Sequence, residues 1–214
     1  MKLTKYGHAC VRLEKDGHTL VIDPGKFSGA GVLDGADTVL ITHEHFDHLD
    51  EQALREAAAK NVALEIYGPE AVISRLGDIA VLTRAVRDGD RFRSNGFDIA
   101  VAGEWHAVNH PDQPVVQNVG FLVADEIFYP GDALTVPDFE VPTLLLPTNA
   151  PWVKLREWVE YLRTVRPGRA YSTHDGLLNE VGLKLIDNWL GMEADRHKAE
   201  IRRLAPGESV TLGG

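Results

Sequence analysis

The chain is predicted to be an α/β protein in which two mixed β-sheets pack together and helices cover their outer faces. Three observations predict this. Short apolar strand patterns outnumber helical ones. The helical patterns fall between groups of strands rather than in one block. One unit, Thr143–Leu146, Trp152–Val165 and Ala170–Thr173, has the order and length of a parallel strand–helix–strand crossover. At 214 residues, with 44% apolar and 25% charged residues, the sequence suits one domain over residues 1–214 with a core of its own.

In chain order, Lys2–Tyr6, Cys10–Glu14 and Thr19–Ile22 read as short strands, with Lys15-Asp16-Gly17 as a hairpin turn and Asp23-Pro24-Gly25 as a stop. Gly25–Gly35 is a glycine-rich loop, and Thr38–Ile41 is a β-branched apolar run of the kind buried in a sheet. Asp50–Lys60 reads as a helix because Leu49, Ala53, Leu54 and Ala57 share one side. Ala63–Tyr67 is a strand and Glu70–Leu76 a short helix, followed by strands at Val81–Val86, Arg91–Arg93 and Phe97–Ala102. Val119–Val123 and Ile127–Tyr129 flank a turn at Ala124-Asp125-Glu126. Trp152–Val165 carries Leu155, Val159 and Leu162 at helical spacing and stops before Pro167; Val181–Leu190 is a further helix.

Charge and composition exclude several function classes. The formal net charge is −10, and no basic face of the kind that tracks phosphates is visible, so no nucleic-acid partner is expected. The densest basic stretch, Arg196-His197-Lys198 with Arg202-Arg203, is mixed with Glu193, Asp195 and Glu200 and reads as the solvated face of a C-terminal helix. The apolar runs are too short to span a membrane, and the N-terminus lacks the pattern of a signal peptide, so a cytoplasmic protein is expected. The single cysteine, Cys10, permits no disulfide within the chain and lies in an alternating strand, where a buried small hydrophobe is expected.

The informative stretch is Val39-Leu40-Ile41-Thr42-His43-Glu44-His45-Phe46-Asp47-His48. An apolar strand leaves the core and ends in a cluster of ligand residues. Residues two apart in extended chain face the same way, so His43 and His45 can project together; after a turn at Phe46, Asp47 and His48 can face the same space. Imidazole and carboxylate suit zinc, manganese or iron. Three histidines and an aspartate in six residues exceed what one open tetrahedral site needs, which points to two metals. Three later apolar runs also end on ligand residues: Ile99–Ala102 before His106, Ile127-Phe128-Tyr129 before Asp132, and Ala170–Thr173 before His174. Strand ends give such ligands a rigid base.

In this order, His43-x-His45-x-Asp47-His48, His106, Gly131-Asp132 and His174, with Asp23 after an early strand, the chain resembles the metallo-β-lactamase superfamily from about Gly7 to His174. Gly7-His8-Ala9, His106-Ala107-Val108-Asn109-His110, Ala150-Pro151-Trp152 and His174-Asp175 are similar to the small hydrolases that include ascorbate-6-phosphate lactonase-like proteins. The resemblance implies a four-layer αβ/βα sandwich and two divalent ions per chain, zinc first, with manganese or iron also compatible. It implies that His43, His45 and His106 hold one ion, that Asp47, His48 and His174 hold the other, that Asp132 bridges them, and that Asp23 holds the ligand loop in place. Homo-oligomers among relatives make an oligomer an expectation by analogy alone.

The expected function is metal-dependent hydrolysis of a small-molecule lactone, ester or phosphoester. Two ions about 3.5–4 Å apart can share one hydroxide as nucleophile and stabilise the negative charge that follows its attack. Asp47 is a candidate to orient that hydroxide and take its proton. His110 is a candidate donor to the oxyanion or leaving group, and an alternative to His106 as the third histidine. His8 reads equally as lining the site or as structural, and Trp105 and Trp152 as pocket walls or packing. Loops Lys26–Asp34 and His106–Asn118 are expected to shape the pocket. A phosphodiesterase or RNA-processing nuclease of the same superfamily and a metal-binding protein without turnover are the rival readings.

Overall fold

Two seven-stranded sheets lie face to face in the computed structural model, which describes residues 1–79 and 81–213. The first sheet contains β1 (Lys2–Lys5), β2 (Val11–Lys15), β3 (His18–Ile22), β4 (Thr38–Leu40), β5 (Glu65–Gly68) and β6 (Leu82–Ala85), with β14 (Ser209–Thr211) against β1. The second contains β7 (Arg91–Ser94), β8 (Phe97–Ala102), β9 (Gly120–Val123), β10 (Ile127–Tyr129), β11 (Thr143–Pro147), β12 (Arg169–Thr173) and β13 (Glu200–Arg203), in that spatial order. Each sheet is antiparallel at one side and parallel at the other. In the first, β3 to β6 run parallel; in the second, β10 to β13 do. The expected crossover is present, since β11 and β12 pair in parallel with Leu145 opposite Tyr171.

The alternation of side chains along each strand builds four layers. Leu20, Ile22 and Leu40 of the first sheet meet Phe121, Val123 and Leu145 of the second in a shared core. Their sequence neighbours point the other way. Val21, Val39 and Ile66 pack under α1 (Glu51–Lys60) and α2 (Glu70–Arg75) with Leu54 and Val72. Leu122, Leu144 and Leu146 pack under α3 (Leu155–Val165) and α4 (Glu180–His197) with Trp158, Leu162, Ile186 and Leu190. Strands buried on both faces read as continuous apolar runs, which is why Thr143–Leu146 was so legible.

Three expectations are corrected at the level of elements. Trp152 does not begin a helix: α3 starts at Leu155, where Glu157 Oε2 accepts from the Lys154 amide at 2.9 Å, and Ala150 and Val153 form an isolated bridge in the turn before it. The last helix is longer than Val181–Leu190 and ends at His197, with Lys198 in the left-handed conformation. Arg202 and Arg203 therefore do not lie on that helix. They lie on β13, which buries Ile201, and Arg203 reaches back to Asp187 at 2.8 Å. No helix among the described residues is long and apolar enough to cross a membrane.

Candidate metal centre

Asp23 organises the ligand loop. It follows β3 with φ 50°, and its Oδ1 accepts from the Thr42 amide at 2.7 Å where β4 has ended. Its Oδ2 accepts from the Thr42 hydroxyl at 2.6 Å and from His48 Nδ1 at 2.6 Å. The consequences are fixed tautomers. Because the Thr42 proton goes to Asp23, Thr42 Oγ1 can only accept from His43 Nδ1, 3.0 Å away. His48 and His43 are thus protonated on Nδ1, which leaves Nε2 as the nitrogen aimed at the cleft. His174 Nδ1 donates to the Asn149 carbonyl at 3.0 Å, and His106 Nδ1 to the Ala107 carbonyl, with the same result. A metal-binding histidine is held in this way, with its rear nitrogen tied to a protein oxygen.

The front nitrogens converge. His48 Nε2 lies 2.8 Å from His174 Nε2, and Asp132 Oδ1 lies 3.2 and 2.8 Å from these two. Asp132 Oδ1 nevertheless accepts no well-directed hydrogen bond, and His106 Nε2, 3.4 Å from Asp132 Oδ2, is buried without a partner. Lone pairs crowded this closely hold together only around positive charge. Without a metal that charge is a proton: burial alone would lower the pKa of His48, but Asp132 and Asp23 outweigh it and hold it well above the ordinary value. For Asp132, burial opposes ionisation, and His174 and His48 outweigh it to keep the carboxyl well below its usual range. His43, fully buried and close to His48, is held well below the ordinary value and stays neutral. Orphaned buried atoms and a convergent set of N and O donors fit divalent ions, which would take the place of that proton.

His43, His45 and His106 come together, with His43 Nε2 and His45 Nδ1 3.0 Å apart. Asp132 stands between this trio and the His48–His174 pair, one carboxylate oxygen toward each. Asp47 Oδ2 lies 3.8 Å from His48 and 3.9 Å from His174. The structure thus brings His43, His45, Asp47, His48, His106, Asp132 and His174 to one place. It does not bring His110, whose ring is 65% exposed and rests 3.5 Å from Asp112 Oδ2. Trp105 is half-exposed on the surface, whereas Trp152 lines the site.

His8 is drawn in from β1's exit. Its Nε2 is 3.2 Å from Asp47 Oδ2, close enough to join Asp47 and His174 around an ion. Its Nδ1, however, accepts the Gly176 amide at 3.1 Å, so the neutral ring carries its proton on Nε2 and donates it to Asp47. Burial pushes the His8 pKa down, which keeps the ring neutral. Burial also opposes ionisation of Asp47, but the His8 hydrogen bond and the nearby His48 and His174 outweigh it and bring the carboxyl to about 2. His8 therefore positions Asp47 and is no ligand. Sequence reasoning also missed Asn118, fully buried, which accepts the Asp132 amide at 2.9 Å and donates to the Pro130 carbonyl. It also missed Lys5, whose ammonium reaches Asp175 at 2.5 Å and the Ser172 carbonyl at 3.0 Å behind His174.

The cleft over these residues has a volume of about 270 Å³. A larger cavity, about 510 Å³, lies between the glycine-rich loop and α1, but none of the histidines lines it. Of the loops expected to shape the pocket, Lys26–Asp34 contributes Phe27 and His106–Asn118 contributes His106 and Asn109; Phe46, Pro151, Trp152 and Leu177 complete the wall.

Comparison with known proteins now decides the family. Residues 2–174 match the model of the β-lactamase superfamily domain. The chain belongs to the metallo-β-lactamase superfamily. A protein of Mycobacterium tuberculosis is 39% identical over 184 residues, covering 83% of this chain and 85% of the relative. A metal-dependent hydrolase of a Geobacillus species is 37% identical over 155 residues, 66% and 67% of the two chains. Among solved structures, a metallo-β-lactamase fold protein from Bacillus subtilis superposes with TM-score 0.74 at 18% identity over 99% of both chains. An isothiocyanate hydrolase from Delia radicum gut bacteria gives TM-score 0.70 at 19% identity, again over 99% of both. These likenesses show the fold. This metallo-β-lactamase superfamily member is thereby placed among families of metal-dependent hydrolases, while a special kinship with ascorbate-6-phosphate lactonase-like proteins gains no support.

Proposed function

We propose that the protein is a hydrolase of small-molecule lactones, esters or phosphoesters that works with two divalent ions, zinc in the first instance. His43, His45 and His106 would hold one ion and Asp47, His48 and His174 the other, with Asp132 placed to serve both. The observation that carries this reading is the buried carboxylate of Asp132, with one oxygen toward each histidine group and Oδ1 without a hydrogen-bond donor. Bound divalent ions supply water activation at neutral pH and stabilisation of anionic charge. The chain supplies the rest. Asp23 and Thr42 set which nitrogens face the cleft. His8 holds the Asp47 carboxylate through its Nε2–H, where Asp47 can orient the attacking water and take its proton. Trp152 and Phe46 restrict solvent at the mouth.

The test is elemental analysis of protein purified without chelator or a histidine-affinity column, followed by assays on lactones, aryl esters and phosphodiesters. About two equivalents of zinc or manganese per chain are expected. One equivalent would remove the shared role of Asp132, and none, after incubation with each metal, would remove the hydrolase reading.

A further inference from the structure

The wall of the cleft is apolar beyond the ligand residues. Phe27, Phe46, Pro151, Trp152 and Leu177 form it, and Asn109 is its one other polar member. Phe27, Phe46 and Leu177 are 42%, 60% and 56% exposed although each is large and apolar. They come from three separate loops, so their meeting at one mouth is a product of the fold. Phe27 is also held in place, edge-on to Phe46 at 5.5 Å and to His8 at 5.5 Å.

Among the described residues, no lysine or arginine lines this cleft. The cations next to it in sequence are engaged elsewhere. Lys26 pairs with Asp50 at 3.2 Å, Lys154 with Glu157 at 3.4 Å, and the buried Lys5 with Asp175. Asp47 and Asp132 lie at the cleft floor and would be taken up by the proposed ions, so the missing counter-ion is a feature of the wall alone. A charged substituent on a substrate would meet no counter-ion on the wall and would lose hydration against aromatic rings. An uncharged apolar substituent would instead remove exposed apolar surface from water on both sides.

Building on the hydrolase reading, we propose that the substrate is an uncharged lactone or ester bearing a short apolar substituent, which lies against Phe27, Phe46, Leu177 and Trp152. Phosphorylated substrates are excluded from the proposal. The cleft volume of about 270 Å³ limits the substrate to a small molecule.

The experiment is a binding titration, by calorimetry on the protein as purified, of γ-lactones whose side chains run from methyl to pentyl. A lactone carrying a phosphate at the same position is titrated alongside, and turnover of each is measured separately. Affinity should rise about two- to fourfold per methylene, as burial of a CH₂ predicts for a partly open wall. The phosphorylated lactone should bind more weakly than the methyl one. Phe46→Ala and Leu177→Ser, both at exposed positions, should flatten the dependence while keeping the thermal midpoint. Affinity independent of chain length, tighter binding of the phosphorylated lactone, or no binding by any member overturns the proposal. A rising series with no turnover of any lactone, aryl ester or phosphodiester would uphold the apolar subsite and remove the hydrolase reading, so the two fail separately.

Discussion

The indole N–H of Trp152 donates a 2.8 Å hydrogen bond to Oδ2 of Asp132, the oxygen that faces His106. One side chain is thus both cleft wall and clamp on the shared carboxylate. Trp152→Phe keeps an aromatic wall, though a smaller one, and removes the donor. Metal affinity in competition with a chelator should fall about tenfold or more, as for other groups that orient metal ligands. Unchanged affinity would show that the clamp does not matter.

Asp132→Ala should abolish both metal retention and turnover, because the buried oxygens facing both histidine groups vanish together. Full metal content with normal activity in that variant would sink the bridging assignment.

Behind the site, Lys5 and Asp175 form an ion pair with both side chains buried. Such a pair gives little net stability as a unit, but removing one partner strands a buried charge at a cost of about 3–5 kcal/mol. Lys5→Met should therefore lower the urea midpoint sharply, and Lys5→Met with Asp175→Leu should recover most of the loss. Equal loss in single and double variants would mean that packing, not charge, is what matters there.

Burial pushes the Cys10 thiol from its ordinary 9.0 up to about 12. The folded chain keeps a proton that the unfolded chain releases above pH 9. The associated stability is complete below pH 9 and is lost as pH rises from 9 to 12, by about 1.4 kcal/mol per unit. Denaturation followed from pH 7 to 10.5 should show this slope, and Cys10→Ala should reduce it. The native thiol should also resist disulfide-exchange reagents at pH 8; rapid labelling would contradict its burial.

The continuous apolar runs that make Thr38–Ile41 and Thr143–Leu146 readable as buried strands also announce the candidate ligands, because His43, Asp132 and His174 each follow an apolar run. What stayed hidden depends on approaches across the fold. His8 acquires its role from Gly176 and Asp47, which lie 168 and 39 residues away along the chain. His106 and His110 share one polar loop, and only the Ala107 amide bonded to the Asp132 carbonyl shows which of them faces inward. Trp152 looked helical because Leu155, Val159 and Leu162 extend the pattern toward it; the Glu157 contact with Lys154 that starts the helix is local and easily overlooked. The strand at Glu200–Arg203 carries only one apolar residue, Ile201, so its charges suggested more helix.

The ligand residues are divided between the two sheets: His43, His45, Asp47 and His48 follow β4, while His106, Asp132 and His174 follow strands of the other. Ions held by both sets, as proposed, would act as a rivet across the seam of the sandwich. Loading would then stabilise the fold: each tenfold excess of free metal over its dissociation constant would add about 1.4 kcal/mol of resistance to unfolding for each ion.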